Sequence, residues 1–254
     1  MGKSPDEMYF LMQAEMGLTK HMGGKRATKE LIELCRIDES KRVLDVGCGV
    51  GKTACFIAKE IGCKVVAVDL YKEMIENAKK RAERKEVLDK IEFKVANAES
   101  LPFKDNLFDV VFCESVAAFF KNKKKGLSEL KRVVKPEGFI GLNELTWIGS
   151  PSKKITDSMK EIMGGEFEDS TGWKKLLEEI GLREVNAKAY KMNAVQQFLD
   201  EMSWMELRDF FGPWGKVIKL FIKDPEYRKY LMSITKTPLS VGKYMGHGIY
   251  TGKK

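Results

Sequence analysis

The sequence contains no apolar run that approaches the roughly 20 residues of a membrane-spanning helix. Residues 1–6 also lack the apolar stretch of a signal peptide. None of the 5 cysteines belongs to a Cys-x-x-Cys pair, the arrangement that would indicate zinc or redox chemistry. These absences predict a cytoplasmic protein with reduced thiols, no metal site and no membrane span.

Histidine and glutamine are also scarce. Only His21 and His247 occur, so few side chains can act as a general base near neutral pH. Gln13, Gln196 and Gln197 are the only glutamines, whereas charged residues make up 32% of the chain. This bias toward charge is typical of proteins from hot-living organisms, so the composition is thermophile-like.

The charge of the chain is +8, from 45 basic and 37 acidic residues. Clustered basic side chains would suggest a nucleic-acid partner. Here the two signs are interleaved, and the densest basic run, 121–125, is broken by Asn122. Surface charge is therefore the favoured interpretation, and nucleic acid is not expected as a partner.

Strand-like and helix-like segments alternate along the middle of the chain, which favours βαβ units and a parallel sheet. The predicted strands are 42–46, 64–69, 91–95, 110–113, 139–145, 185–190 and 247–252. We therefore expect an α/β fold: a Rossmann-like, seven-stranded, mostly parallel sheet with helices on both faces.

The 254 residues are predicted to form a single domain with three parts. Residues 1–40 would be an N-terminal helical lid, and 41–190 with 245–254 the Rossmann-like core. Residues 191–244, rich in methionine and aromatic side chains, would be a helical insertion that caps the substrate. The alternatives for these side chains are the insertion's own core or a dimer interface.

A glycine-rich stretch, Asp-Val-Gly-Cys-Gly-Val-Gly at 45–51, follows the first predicted strand. In a doubly wound sheet this turn lets a nucleotide approach the backbone. The dinucleotide fingerprint would place its third glycine at position 52, which is a lysine. Asp45 would also repel a pyrophosphate, so a cofactor with a cationic amine suits the site better. Asp69, about 20 residues on, could accept the hydroxyl protons of a ribose.

Two further motifs complete the pattern: 96–103 after the third strand and Phe108-Asp109-Val110-Val111 at the fourth. With them the chain resembles the class I S-adenosylmethionine-dependent methyltransferases, in the small-molecule subgroup whose members act on quinones, sterols and amines. The resemblance covers Arg42 to Glu144 and extends more weakly to Tyr190. Together with the thermophile-like composition, it suggests an archaeal source. It implies methyl transfer from S-adenosylmethionine by direct displacement, with release of S-adenosylhomocysteine.

The resemblance also implies where the cofactor binds. The methionine part would lie at Asp45 and the backbone around Gly47 and Gly49, the ribose at Asp69, the adenine at Leu70, Met74, Asn97 and Ala98, and the amine and reacting methyl near Glu114. Cys48 and Glu99 are also expected to bind the cofactor. Most members of the family carry aspartate at the position of Asn97. Turn formation by Asn97 and a helix N-cap or surface role for Glu114 are the alternatives.

A general base is needed only if the acceptor arrives protonated. Because the chain has only two histidines, candidates for that role are few. His21 lies in a loop that closes over the cofactor in related methyltransferases, and Glu144 lies at the carboxyl end of the fifth strand, where such sheets bind substrates. His247, in the last strand, is a weaker candidate.

The acceptor is expected to be a small molecule, apolar or aromatic in part. Methyltransferases of nucleic-acid base amines typically carry a Pro-Pro-aromatic tetrapeptide where this chain has Cys113-Glu114-Ser115-Val116. Two other functions stay open: a cofactor-binding regulatory protein without turnover, and an RNA methyltransferase favoured by charge alone. A homodimer is also left open.

Overall fold

Seven strands form one sheet in the computed structural model, which describes residues 3–17, 22–204, 215, 217–234 and 239–254. The strands are β1 Arg42–Val46, β2 Lys64–Asp69, β3 Ile91–Val95, β4 Phe108–Glu114, β5 Val134–Trp147, β6 Arg183–Lys191 and β7 Met245–Lys253. Their order is β3-β2-β1-β4-β5-β7-β6, with β7 antiparallel to both of its neighbours. The prediction of a Rossmann-like, mostly parallel seven-stranded sheet is confirmed.

Helices cover both faces of this sheet. The longer ones are α1 Pro5–Met16, α2 Gly24–Leu34, α3 Lys52–Phe56, α4 Lys72–Arg84, α5 Lys123–Val133, α6 Lys153–Met163, α7 Ser170–Glu179, α8 Ala194–Trp204 and α9 Pro225–Ile234. A π turn, Ile57–Ile61, continues α3, and 3-10 turns lie at Leu88–Lys90, Ala117–Phe119 and Leu239–Lys243. None of the described helices is long and apolar enough to cross a bilayer.

Alternation of side chains along each strand divides the core into two layers. Leu31 of α2 and Phe112 of β4 belong to one buried cluster, and Leu44 of β1, Leu127 of α5 and Trp173 of α7 belong to the other. The central strands carry apolar side chains on both faces of the sheet, so they appear in the sequence as continuous apolar runs.

The site is positioned by the centre of the sheet. β1 pairs in parallel with β2 on one side and with β4 on the other. The chain therefore reverses its direction of winding at β1, and a crevice opens at the carboxyl ends of β1 and β4, where doubly wound sheets bind ligands.

The strand bounds differ from the predicted ones mainly at β5. This strand begins at Val134, which pairs with Phe108, and a register irregularity separates that pair from the next one, Val110 with Phe139. Such an irregularity leaves no simple alternation in the sequence, so the prediction began the strand only at 139.

Candidate active site

The glycine-rich loop after β1 has a backbone that few other residues could adopt. Gly47 and Gly51 have φ values of 73° and 76°, in the left-handed region. A Cβ atom on Gly47 would lie 2.3 Å from Cγ2 of Val116. The amides of Gly47 and Cys48 both donate to the carbonyl of Val68, at 2.8 and 2.9 Å, which fixes the loop to β2.

Asp69 ends β2 and faces this loop. Its Oδ2 accepts from the Gly49 amide at 2.8 Å, and its Oδ1 accepts from the Tyr71 amide at 3.0 Å. Burial raises the pKa of Asp69, and the two amide hydrogen bonds oppose that rise. Two backbone donors therefore hold the carboxylate in one orientation at the edge of the crevice.

Asp45, at the end of β1, is 2% exposed, and its Oδ2 accepts no hydrogen bond from any described residue. Burial raises its pKa well above the ordinary value, and the nearby charges of Glu114 and Asp69 raise it further. Leaving a buried carboxylate oxygen unpaired is costly. This atom therefore marks a place for a hydrogen-bond donor or a positive charge from a ligand.

Glu114 ends β4 and is held by hydroxyl groups from two helices. Thr53 Oγ1 of α3 donates to it at 2.7 Å and Thr28 Oγ1 of α2 at 3.0 Å. The sequence reasoning missed both threonines. A usable signal existed for Thr53, which follows the glycine loop at the start of a helix, but Thr28 lies on the buried face of α2 and resembled an ordinary core position.

These residues surround a cavity of about 340 Å³. The floor of the cavity consists of the glycine loop and the carboxyl ends of β1, β2 and β4. The cofactor-binding residues predicted from the resemblance all line it: Asp45, Gly47, Cys48, Gly49, Asp69, Leu70, Met74, Asn97, Ala98, Glu99 and Glu114. The structure thus brings the predicted set together, whereas the individual roles stay predictions.

The roof of the cavity is α1, whose Tyr9, Phe10 and Gln13 also line it. The Phe10 ring lies 4.8 Å from that of Phe119 and 5.9 Å from that of Tyr71, centroid to centroid. Burial raises the pKa of Tyr9 to about 12, so its phenol stays neutral well above physiological pH. Sequence reasoning placed a lid here but identified none of these side chains.

The segment after β3 is held by its own hydrogen bonds. Asn97 Oδ1 accepts from the Glu99 amide at 2.8 Å, as a turn residue does. Glu99 Oε1 accepts from the amide of Lys121 at 2.7 Å. Both side chains therefore have structural roles beside the cofactor roles predicted for them.

Glu144 is fully buried but is not among the described residues that line the cavity. Its Oε1 accepts from the amides of Val116 and Ala117, at 3.0 and 2.8 Å. Burial raises its pKa to about 7. Its catalytic role stays a prediction, and its geometry favours holding the segment that carries Val116 under the cavity.

His247 is not among the described residues that line the cavity. His21 falls outside the described residues. The His247 ring stacks on the Tyr190 ring, with centroids 5.0 Å apart, and the Tyr190 hydroxyl donates a hydrogen bond to Glu30 Oε1 at 2.7 Å.

Comparison with known proteins identifies the family. A family model described as a methyltransferase domain matches residues 44–142. An uncharacterized protein of Haemophilus influenzae is 33% identical over 192 residues, which cover 74% of this chain and 76% of that protein. The chain spans less than half the length of several other curated relatives that it matches.

Solved structures share the fold. The [4+2]-cyclase SpnF has a TM-score of 0.79 at 17% identity, covering 100% of this chain and 97% of that one. Phosphoethanolamine N-methyltransferase 2 of Haemonchus contortus, solved in complex with S-adenosyl-L-methionine, has a TM-score of 0.71 at 16% identity, covering 96% of this chain and 56% of that one. At these identities the likeness concerns the fold alone.

The chain belongs to the class I S-adenosylmethionine-dependent methyltransferases. The predicted family, enzyme class and cofactor are thereby confirmed, and methylation of a small molecule is supported at the level of the class. The residues present also fit the cofactor, because Asp45 offers a buried unpaired oxygen and lines the same cavity as Asp69 and Glu114.

Proposed function

We propose that this protein transfers a methyl group from S-adenosylmethionine to a small-molecule acceptor in the cavity beneath α1, releasing S-adenosylhomocysteine. The observation that carries the proposal is the grouping of three buried carboxylates, Asp45, Asp69 and Glu114, around one cavity beside a glycine loop. A ligand with an ammonium and a sulfonium centre would offset their mutual repulsion.

Each floor residue then has a distinct role. Asp69, which two backbone amides hold in place, accepts hydrogen bonds from the ribose hydroxyls. Asp45 and the loop at Gly47 to Gly49 receive the amino-acid end of the cofactor, and Glu114 lies near its amine and the reacting methyl. Leu70 and Met74 contact the adenine ring.

The chain's contribution to the chemistry is alignment and exclusion of water. S-adenosylmethionine, when bound, would supply a methyl group on a sulfonium together with its leaving group, a neutral thioether that keeps the electron pair of the carbon–sulfur bond. Tyr9 and Phe10 of the roof, together with Phe119 beside them, keep bulk water from this reaction and favour an acceptor with an apolar or aromatic part.

We further propose the division into parts that the sequence suggested. Residues 1–40 act as the lid, 41–190 and 245–254 as the core, and 191–244 as the cap. The packing of Met8 of α1 against Tyr227 and Tyr230 of α9 supports a joint action of lid and cap.

Calorimetric titration of the full chain with S-adenosylmethionine, S-adenosylhomocysteine and NADH tests the cofactor site. We expect both sulfur compounds to bind and NADH not to bind. An acceptor screen that follows S-adenosylhomocysteine release then separates an enzyme from a regulatory protein that only binds the cofactor. Binding of NADH alone would overturn the proposal, and binding without turnover over a wide screen would favour the regulatory alternative.

A further inference from the structure

Exposed large apolar side chains are concentrated in one part of the molecule. Elsewhere in the described chain they are Leu70, Leu88 and Val95, whereas the region 195–232 contributes Val195, Phe198, Leu199, Ile218, Phe221, Ile222 and Met232. Isolated exposed apolar residues are normal, but a group of them marks a surface that contacts something other than water.

The helical segment 217–223 contains the densest part of this group. Leu220 packs toward the buried cluster of Met8, Tyr227 and Tyr230. By helical periodicity Ile218 and Ile222 then lie on the opposite side, and Phe221 lies about 100° round the helix from Leu220. The three side chains are 57%, 67% and 41% exposed, in that order. The segment therefore has one apolar side turned inward and a second one turned outward.

Basic side chains accompany the outward apolar ones. Lys219 and Lys223 are exposed on the same segment. On the adjoining α9, the guanidinium of Arg228 lies 5.7 Å from the centre of the Phe221 ring. We call the residues Ile218, Lys219, Phe221, Ile222 and Lys223 the basic apolar face.

Among the described residues, two acids adjoin this face. Asp224 accepts from the amides of Glu226 and Tyr227 at the start of α9, at 2.9 and 3.1 Å. The Glu226 carboxylate lies 3.8 Å from the Lys3 ammonium. Lys219, Lys223 and the adjoining Arg228 outnumber these two acids, so the charge that the face offers to a partner is positive.

We infer that the basic apolar face docks on the surface of an anionic lipid bilayer. Phe and Ile side chains flanked by lysines are typical of segments that lie in a membrane interface, with the apolar groups among the acyl chains and the ammonium groups at the phosphates. A second copy of this chain is the poorer occupant, because lysine is depleted in protein interfaces and two basic faces repel each other.

The face connects to the proposed active site through two helices. α9 packs through Tyr227 and Tyr230 against Met8 of α1, and α1 lines the cavity through Tyr9 and Phe10. A docked protein would hold the roof of its cavity close to the bilayer, where an apolar acceptor partitions. This consequence for the acceptor rests on the proposed function, but the docking itself does not.

Co-sedimentation of the full chain with vesicles tests the inference. The vesicles are phosphatidylcholine alone or an equal mixture of phosphatidylcholine and phosphatidylglycerol. The variants are Ile218→Ser/Phe221→Ser/Ile222→Ser, which removes the apolar groups, and Lys219→Glu/Lys223→Glu, which reverses the charge. Leu88→Ser and Lys79→Glu/Lys80→Glu are matched controls, since these residues are exposed elsewhere.

We expect the wild type to bind the anionic vesicles, less so at high salt, and to bind the neutral ones at least about tenfold more weakly. Each test variant should bind the anionic vesicles about tenfold more weakly than the wild type, and the controls should match it. Unchanged melting curves and S-adenosylmethionine affinity would show that folding and the cofactor site are intact.

Two results would overturn the inference. The first is failure of the wild type to bind either vesicle. The second is a homodimer in sedimentation that the apolar variant dissociates, without vesicle binding, which would make the face an interface between copies. Both results leave the proposed methyl transfer unaffected, because cofactor titration tests that separately.

Discussion

The floor and the roof of the cavity are stabilised by different kinds of interaction. On the floor, side chains bond to backbone amides, as Asp69 does with Gly49 and Tyr71. In the roof, rings pack against rings, as Phe10 does against Phe119. Backbone hydrogen bonds fix an atom to within a narrow range of positions, whereas ring contacts tolerate sliding. The floor therefore suits recognition of an invariant cofactor, and the roof suits opening and a variable acceptor.

The largest effect is expected from Asp69→Ala, which removes the ribose acceptor from the floor. S-adenosylmethionine affinity should fall about 100-fold or more, because two hydrogen bonds to a charged group are lost. Titration calorimetry measures this change. Asp89→Ala, on the 3-10 turn Leu88–Lys90, serves as the control and should bind normally. Equal affinity in the two variants would contradict the ribose role of Asp69.

A smaller effect is expected from Gly47→Ala. The new Cβ would lie 2.3 Å from Cγ2 of Val116, at a backbone φ of 73° that disfavours a side chain. The free energy of unfolding should fall by about 2 to 3 kcal/mol, as measured by denaturant titration. Adding Val116→Ala should restore part of this loss. Full stability of the single variant would mean that the loop is not fixed as described.

Glu144→Gln should change the pH dependence of stability. The folded pKa of about 7 lies above the ordinary 4.5, so the stabilisation that the protonated carboxyl provides is complete below pH 4.5 and is lost as the pH rises from 4.5 through 7. The wild type should lose about 2 kcal/mol of stability relative to Glu144→Gln between pH 5 and pH 7. Denaturant titrations at both pH values give this difference. A parallel change in the two proteins would show that Glu144 titrates normally.

The smallest effect is expected in the roof. Phe10→Leu keeps the helix apolar but removes a ring that contacts Phe119 and Tyr71. S-adenosylmethionine should dissociate a few-fold faster, while stability falls by about 1 kcal/mol. Stopped-flow displacement measures the rate, and Phe93→Leu, in β3 and away from the roof, is the control. Loss of affinity as large as that of Asp69→Ala would erase the contrast between floor and roof.

The floor could be predicted from the sequence because its signals are local. Gly47, Gly49 and Gly51 occur within one short stretch, and Asp69 follows at the end of the next strand. The partners of Glu114 could not be predicted in the same way. Thr28 lies 86 residues from Glu114, and only the packing of α2 against the sheet brings the two together.

The prediction for Glu144 shows a related limit. Its position at the carboxyl end of β5 indicated the crevice, but side chains alternate along a strand. Glu144 therefore lies on the opposite face from Asn143, whose side-chain amide reaches the Met22 carbonyl at 2.8 Å and, at 3.4 Å, the Glu114 carboxylate. Which of two neighbouring residues faces the ligand depends on register, and a single residue of offset reverses the answer.

The position of β7 has a consequence for how the protein is made. β6 pairs with β7 and joins the sheet through it, yet β7 is synthesised after the whole segment that separates the two strands. A growing chain can pair β1 to β5 early, whereas β6 waits with an unpaired edge until β7 emerges. Closing such a long loop is slow, and an exposed edge can pair with other chains. The helical segment between β6 and β7 thus delays completion of the sheet, and the waiting edge is where misassembly during synthesis would begin.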